Sequence, residues 1–79
     1  MAKVYILQLS DGSYYIGSTE NLERRLIEHN KGKNKSTKNK RPFILKYSED
    51  FPTRGEAQSR EYQIKGWKSR KAIERLFSS

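Results

Sequence analysis

A tight turn between two short, strand-forming segments constrains the first part of this sequence more than any other feature. Val4 to Leu9 and Tyr14 to Ser18 are rich in β-branched and aromatic residues, which is typical of β-strands. Asp11-Gly12 between them is a strong turn signal. The sequence therefore predicts a β-hairpin near its start.

The length of the hairpin loop decides which side chains share a face of the sheet. A two-residue loop would put Tyr5 and Tyr15 on opposite faces. A three-residue loop, from Ser10 to a left-handed Gly12, would put them on the same face, with Tyr5 opposite Gly17. Both loops suit the residues. We expect the three-residue loop because the functional interpretation below needs both tyrosines together.

A helix is predicted to follow the hairpin. Asn21 is a suitable N-cap, and Glu23 puts an acid in the first turn, where the helix dipole favours it. The helix is expected to run to about Asn30, with Gly32 ending it. At about 100° per residue, Arg24 points to solvent. The apolar side of the helix carries Leu22, Arg25, Leu26 and His29.

The second half of the chain predicts a loop, a strand and two helices. Residues 31–42 are polar, basic and aperiodic, which indicates a loop. Phe43 to Tyr47 predicts a third strand. Thr53 with Glu56 forms a capping box that begins a second helix, and Ser69 caps a short last helix. The inner face of the second helix is expected to carry Ala57, Glu61, Ile64 and Lys68.

Length and composition limit the class of protein. With 79 residues and an apolar fraction of 33%, the chain has room for one small core, so we expect a single domain over residues 1–79. The sequence has no cysteine, which excludes disulfides and thiolate metal sites. The longest apolar run, Val4 to Leu7, is too short for a signal peptide or a membrane span. We therefore expect a cytoplasmic protein that does not bind membranes.

Positive charge is the strongest property of the sequence as a whole. Seventeen Lys and Arg against nine Asp and Glu give a net charge of +8. Such an excess favours polyanions through counterion release, so DNA is the expected partner and RNA a second candidate. A solvated basic loop without a partner is the alternative. The expected nucleic-acid-binding residues are Lys31, Lys33, Lys35, Lys38, Lys40, Arg41 and Lys65.

The element order and four short motifs resemble the GIY-YIG nuclease superfamily. The motifs are VYI and YIG on the two hairpin strands, Arg-x3-His on the first helix and a Glu on the second. The longer matching segments are YYIGSTENLERRLIEHNKG, RPFILKY and AxxREYQIK. The resemblance extends from Lys3 to Lys71 and is nearest to short stand-alone members related to the N-terminal nuclease domain of the UvrC repair protein.

The resemblance implies both a fold and an activity. The fold is α+β, a small three-stranded antiparallel sheet flanked by helices in the order β-β-α-β-α-α. The activity is metal-dependent hydrolysis of phosphodiester bonds. Two positions depart from the family pattern: Lys3 stands where Gly is usual, and no Asn occurs near Ile73. The site residues implied are Tyr5, Tyr15, Gly17, Arg25, His29 and Glu61.

Glu61 is the implied metal ligand. A carboxylate on an apolar stripe is costly unless a cation accompanies it, and an ion pair with Arg25 or Lys65 is the alternative to a metal. No second acid stands at metal-site spacing, so we expect a single Mg²⁺ or Mn²⁺ ion that takes its other ligands from water and phosphate.

The remaining site residues are expected to handle the phosphate and the attacking water. Arg25 contacts the scissile phosphate, because a guanidinium suits non-bridging oxygens. Tyr5 is the candidate general base, and Tyr15 shares this work or orients the water. His29 positions a water or hydrogen-bonds a tyrosine. Gly17 permits close approach of backbone or substrate.

These expectations lead to one main hypothesis and two alternatives. The main hypothesis is an endonuclease that cuts single-stranded or structured DNA in repair or recombination, with little sequence specificity because basic loops contact phosphates rather than bases. One alternative is a non-catalytic nucleic-acid-binding module of the same fold. The other is a nuclease that depends on a protein partner for its substrate specificity.

Overall fold

The computed structural model describes residues 1–31 and 43–78. The predicted element order and the α+β class are confirmed. Within the described ranges no helix is both long and apolar enough to cross a membrane. The elements are β1 (Ala2–Gln8), β2 (Tyr14–Thr19), α1 (Leu22–Asn30), β3 (Ile44–Phe51), α2 (Arg54–Gly66) and α3 (Arg70–Glu74).

The hairpin between β1 and β2 has the three-residue loop. The backbone N–H of Leu9 donates to the carbonyl of Ser13 at 2.8 Å, which closes the loop. Gly12 has a φ of 86°, a left-handed conformation that glycine adopts without steric cost. The choice between the two possible loops is thereby confirmed.

The strands form an antiparallel sheet in the order β2-β1-β3, with β1 in the centre. Tyr5 lies opposite Gly17 and Leu7 opposite Tyr15, as the three-residue loop requires. Because side chains alternate along a strand, both tyrosines lie on the same face of the sheet. A register shift between Ile6 and Leu7 interrupts the pairing of β1 with β3.

Each helix begins at the capping residue that the sequence predicts. The side chains of Asn21, Thr53 and Ser69 each accept a hydrogen bond from the backbone N–H three residues further on. Such bonds satisfy donors that the first helical turn leaves unpaired. Local chemistry therefore fixes where α1, α2 and α3 begin.

Two expectations about the second half of the chain are wrong in detail. The third strand was predicted over Phe43 to Tyr47 but spans Ile44–Phe51, because it pairs with β1 along the whole length of that strand. Lys68 does not continue the inner face of α2. The helix ends at Gly66, and Lys68 has a positive φ of 51° and is exposed.

The sheet has an apolar cluster on each face. The face of the sheet that α1 covers holds Tyr5, Leu7 and Leu9, with Leu22 and Phe43 packed against them. Helices α2 and α3 cover the other face. The buried residues of that second cluster are Ala2, Val4, Ile6, Ile16, Ala57 and Ile64.

Polar contacts tie α3 to the hairpin. The Arg70 guanidinium donates to the carbonyl of Gly12 at 2.7 Å and lies 4.6 Å from the centre of the Tyr14 ring. The Tyr14 hydroxyl donates to Glu74 at 2.7 Å, and Arg70 also donates to Glu74 at 3.1 Å. The last helix is therefore held to the turn by a small hydrogen-bonded network.

Candidate active site

Tyr5 and Gly17 form the centre of the site. Tyr5 is 1% exposed, and its ring lies over Gly17. A Cβ atom at position 17 would lie 2.5 Å from the Tyr5 hydroxyl and 2.7 Å from its Cζ, closer than side chains tolerate. Gly17 does permit a close approach, but the group that approaches is the Tyr5 ring rather than backbone or substrate.

His29 is the hydrogen-bond partner of Tyr5. The hydroxyl and Nε2 are 3.1 Å apart, and the imidazole is fully buried. Burial, with a smaller contribution from the positive charge of Arg25, lowers the pKa of His29, so the ring is neutral at pH 7. The expectation that His29 hydrogen-bonds a tyrosine is confirmed.

The same burial acts on Tyr5 in the opposite direction. Burial raises its pKa well above the usual value, and the negative charge that Tyr15 and Glu61 can carry adds to the effect, while Arg25 opposes it. The phenol therefore keeps its proton, and it donates to Nε2 when the neutral imidazole is in the Nδ1–H tautomer. A free phenolate at Tyr5 is disfavoured in the protein without substrate.

An aromatic cluster encloses the imidazole. The ring centres of Tyr15 and Phe43 lie 5.0 Å and 5.6 Å from that of His29, and both pairs meet edge to face. The ring of Tyr15 also lies 6.3 Å from that of Tyr5. Edge-to-face contacts of this kind are favourable and hold the rings in place.

Arg25 lies at the edge of this cluster. Its side chain is 42% exposed, and a long ion pair of 3.8 Å connects it to Glu28. Its positive charge lowers the pKa of both Tyr5 and His29. Because this ion pair is long and partly exposed, it is weak, and the Arg25 guanidinium can contact a phosphate without losing a strong interaction.

Glu61 comes from the other side of the sheet, on α2. Its Oε1 accepts a hydrogen bond of 2.6 Å from the Ser18 hydroxyl, and its Oε2 forms a 2.6 Å ion pair with Lys65. The ion pair with Lys65, one of the two alternatives to a metal, is thus present, whereas Arg25 pairs with Glu28 instead. The Glu61 side chain is 21% exposed, so ions can reach it.

The chemistry of these donors fits one hydrated divalent ion. Within residues 1–31 and 43–78, no group of three or more His, Cys, Asp or Glu is placed to hold a metal. Mg²⁺ commonly binds through one or two carboxylates and keeps several waters, which Glu61 alone can support. Lys65 is half exposed, so an incoming cation can displace it.

The predicted nucleic-acid-binding residues divide into two groups. Lys31 is exposed at the end of α1. Lys65 forms an ion pair with Glu61, so its ammonium contacts a candidate site residue in the absence of DNA. The others lie outside the described residues: Lys33, Lys35, Lys38, Lys40 and Arg41.

An open cleft beside Ser18 adds residues that the sequence analysis did not assign to the site. Its volume is about 210 Å³. Arg24, expected to point to solvent, is exposed and lines this cleft with Arg25 and Arg54.

Ser18 could have been connected with Glu61 from the sequence, because the alternation of side chains along β2 places Ser18 on the face of the sheet that α2 covers. The lining of this cleft, called the arginine cleft below, is Ser18, Thr19, Glu20, Asn21, Arg24, Arg25 and Arg54.

The fold and the candidate site define a small α+β domain with a hydroxyl–imidazole pair on the α1 side of the sheet and a carboxylate on α2. The chain belongs to the GIY-YIG family, because the family model described as the GIY-YIG catalytic domain matches residues 1–74. Nucleases of this family generally depend on a divalent metal ion.

Similar proteins carry the name UPF0213. One from Nitratidesulfovibrio vulgaris is 49% identical over 63 residues, which cover 78% of this chain and 57% of that protein. One from Halobacterium salinarum is 44% identical over 66 residues, 82% of this chain and 86% of that protein. The solution NMR structure of a UPF0213 protein from Bacillus halodurans is 41% identical, with a TM-score of 0.60 over 96% of this chain and 82% of that one.

Proposed function

We propose that this chain is a divalent-metal-dependent endonuclease that hydrolyses phosphodiester bonds in DNA. The observation that carries the proposal is the buried hydrogen bond between Tyr5 and His29. A module that only binds nucleic acid needs basic surface and has no use for a neutral imidazole held against a phenol.

The proton of the attacking water is transferred through the tyrosine–histidine pair. Because burial raises the pKa of Tyr5 and lowers that of His29, no phenolate accumulates. Instead the water gives a proton to the Tyr5 oxygen while Tyr5 gives its own proton to Nε2 of His29. Tyr5 therefore acts as a base only while its own proton leaves for the imidazole.

The water must enter a closed space. Tyr5 is 1% exposed, so its hydroxyl is reached only when a neighbouring side chain gives way. Tyr15 is half-buried beside it and is the neighbour best placed to admit and orient the water. Substrate binding is the event that we expect to favour this opening, because it brings the phosphate and its water together.

Arg25 and Glu61 stabilise charge on the phosphate. The Arg25 guanidinium donates to the non-bridging oxygens, whose negative charge grows in the transition state. Glu61, oriented by Ser18, would hold the divalent ion. When bound there, the ion supplies Lewis-acid stabilisation of the phosphate and of the leaving oxygen. Phosphate contacts carry no sequence information, so the shape of the DNA selects the site, as repair and recombination require.

Cleavage of a labelled substrate panel tests the proposal. The panel contains single-stranded DNA, duplex, flap, fork and RNA, each with Mg²⁺ or Mn²⁺. Wild type is compared with Glu61→Gln, Tyr5→Phe and the control Glu56→Gln, an exposed acid on the same helix. We expect wild type and the control to cut, and Glu61→Gln to bind DNA with at least 100-fold slower cleavage, roughly the size of losses seen when charge stabilisation is removed.

Two other outcomes would contradict the proposal. If wild type and Glu61→Gln bind equally and neither cuts any substrate, the chain is a binding module or a nuclease that needs a partner protein. If Glu61→Gln cuts as fast as wild type, the carboxylate does not hold the essential ion.

A further inference from the structure

The arginine cleft opens directly beside the reactive groups. Ser18 lines the cleft and also donates to Glu61 at 2.6 Å, so this one residue connects the cleft with the carboxylate. Arg25, assigned above to the scissile phosphate, lines the same cleft. From there it continues along the turn between β2 and α1 towards Arg54, at the first position of α2.

Two of its arginines have no side-chain partner within the part of the chain that the structure describes. Among residues 1–31 and 43–78, neither Arg24 nor Arg54 has an ion pair or a side-chain hydrogen bond, and both are exposed. Each lies in the first turn of its helix, where the helix dipole disfavours a positive charge. The helix dipole therefore opposes both charges, and no ion pair among the described residues offsets that cost.

The cleft has the charge and the room for a phosphate. Three arginines against Glu20 leave it with an excess of two positive charges. A volume of about 210 Å³ is enough for a phosphate group with part of its hydration shell. Guanidinium groups suit this ligand because they offer paired donors to phosphate oxygens.

We propose that Arg24 and Arg54 bind the internal phosphate next to the scissile one on the same strand, so that the strand is held at two points across the site. This inference rests on the proposed function, since Arg25 is taken to bind the scissile phosphate. Holding two successive phosphates fixes the direction and register of the strand relative to Tyr5, and it does so without reading bases.

Binding measurements test the subsite without requiring turnover. The double variant Arg24→Gln/Arg54→Gln is compared with Lys68→Gln/Lys71→Gln, which removes the same charge from exposed positions outside the cleft. Fluorescence anisotropy with a single-stranded oligonucleotide is measured over a range of salt concentrations. We expect the cleft variant to bind about tenfold or more weakly than the control. The slope of log K against log[salt] should fall in magnitude by about 0.7, the value for one phosphate of a single strand that is no longer neutralised.

Substrates with one neutral phosphate locate the contact. A set of oligonucleotides carries a single methylphosphonate, moved one position at a time. Wild type should lose affinity at the positions it contacts, and at one of them the cleft variant should show no further loss. Where wild type cuts, that position should be next to the scissile bond, and the cleft variant should have a raised KM.

Three results would overturn the inference. One is equal affinity and salt slope for the cleft variant and the charge-matched control. Another is a methylphosphonate penalty that is the same in the cleft variant as in wild type at every position. The last is an effect seen only with 5′-phosphorylated oligonucleotides and absent with 5′-hydroxyl ones, which would assign the cleft to a terminal phosphate. All three are read from binding, so they are distinct from a failure of wild type to cut.

Discussion

A Cβ atom at position 17 would meet the Tyr5 hydroxyl at 2.5 Å, and the ring has β1 and α1 behind it. We therefore expect Gly17→Ala to push Tyr5 away from His29 and to abolish detectable cleavage. Overpacking of a buried site costs about 1–3 kcal/mol, or roughly 5–20 °C in Tm for a domain of this size.

The matched control for this substitution is Gly55→Ala. Position 55 is exposed in α2, and nothing lies within 4 Å of the added atom. Because alanine is the better helix former, the control should melt at or slightly above the wild-type temperature. Melting and cleavage are measured together. A Gly17→Ala protein that melts like wild type and still cuts would refute the packing argument.

His29 is the single histidine of the chain, so a change in stability due to histidine titration can be assigned to this residue. Burial lowers its pKa below the usual value of 6.5, so the unfolded chain binds a proton more readily than the folded one. Stability from this group is therefore complete above pH 6.5 and is lost as the pH falls through the folded-state pKa. Urea unfolding of wild type and His29→Gln between pH 8 and 5 should show the extra loss in wild type alone. Parallel curves would contradict it.

Lys65 competes with any cation for Glu61. Its ammonium lies 2.6 Å from Oε2, but the side chain is 51% exposed, so the pair is worth at most about 1 kcal/mol. We expect Lys65→Met to tighten Mn²⁺ or Mg²⁺ binding about two- to fivefold in calorimetric titrations without DNA. Lys68→Met is the control. Equal affinity in both variants would show that the ion does not use that oxygen.

At the scale of elements, α3 depends on a few polar contacts with the hairpin. Arg70 binds the carbonyl of Gly12 and stacks on Tyr14. We expect Arg70→Ala to lower the unfolding free energy by about 1 kcal/mol, because the contacts are largely exposed. Lys71→Ala, at the next position and also exposed, should change it by less than about 0.5 kcal/mol. Urea unfolding compares the two variants, and equal losses would argue against the network.

The features that sequence predicted best at this scale are those set by neighbouring residues. The three helix caps are local hydrogen bonds, so Asn21, Thr53 and Ser69 could be identified from spacing alone. The position of Tyr5 opposite Gly17 required a choice of loop length that the residues left open.

The features that sequence missed depend on packing between distant segments. Ser18 and Glu61 are 43 residues apart in the sequence, and they meet because α2 packs against β2. Arg54 joins Arg24 in the cleft for the same reason. Lys68 was misplaced because helical periodicity was extended past Gly66, where the helix ends.

At the scale of the whole molecule, the sheet separates two layers, and the site joins them at the β2 edge. Tyr5 and His29 belong to the α1 layer, whereas Glu61 belongs to the α2 layer. Catalysis therefore requires both layers to be in place at once. A change on one face, remote from every reactive group, is expected to abolish activity if it releases α2.

Removal of α3 tests this dependence. Ile73, Leu76 and Phe77 pack against the buried cluster of the α2 face, and full burial of such a side chain is worth about 1.5–3 kcal/mol. A protein of 79 residues has a stability of roughly 4–12 kcal/mol, so truncation after Lys68 removes a large part of it. We expect poor NMR dispersion, no cooperative melting and no cleavage, although every proposed site residue is retained.

Truncation after Phe77 is the matched control, because it deletes only residues 78–79 and keeps the three apolar side chains. It should melt and cut like wild type. A version ending at Lys68 that melts cooperatively would show that the sheet and α2 form a stable unit without α3. If such a protein also cut DNA, α2 would hold Glu61 in place without α3. The site would then not depend on the packing of α3 against the α2 face of the sheet.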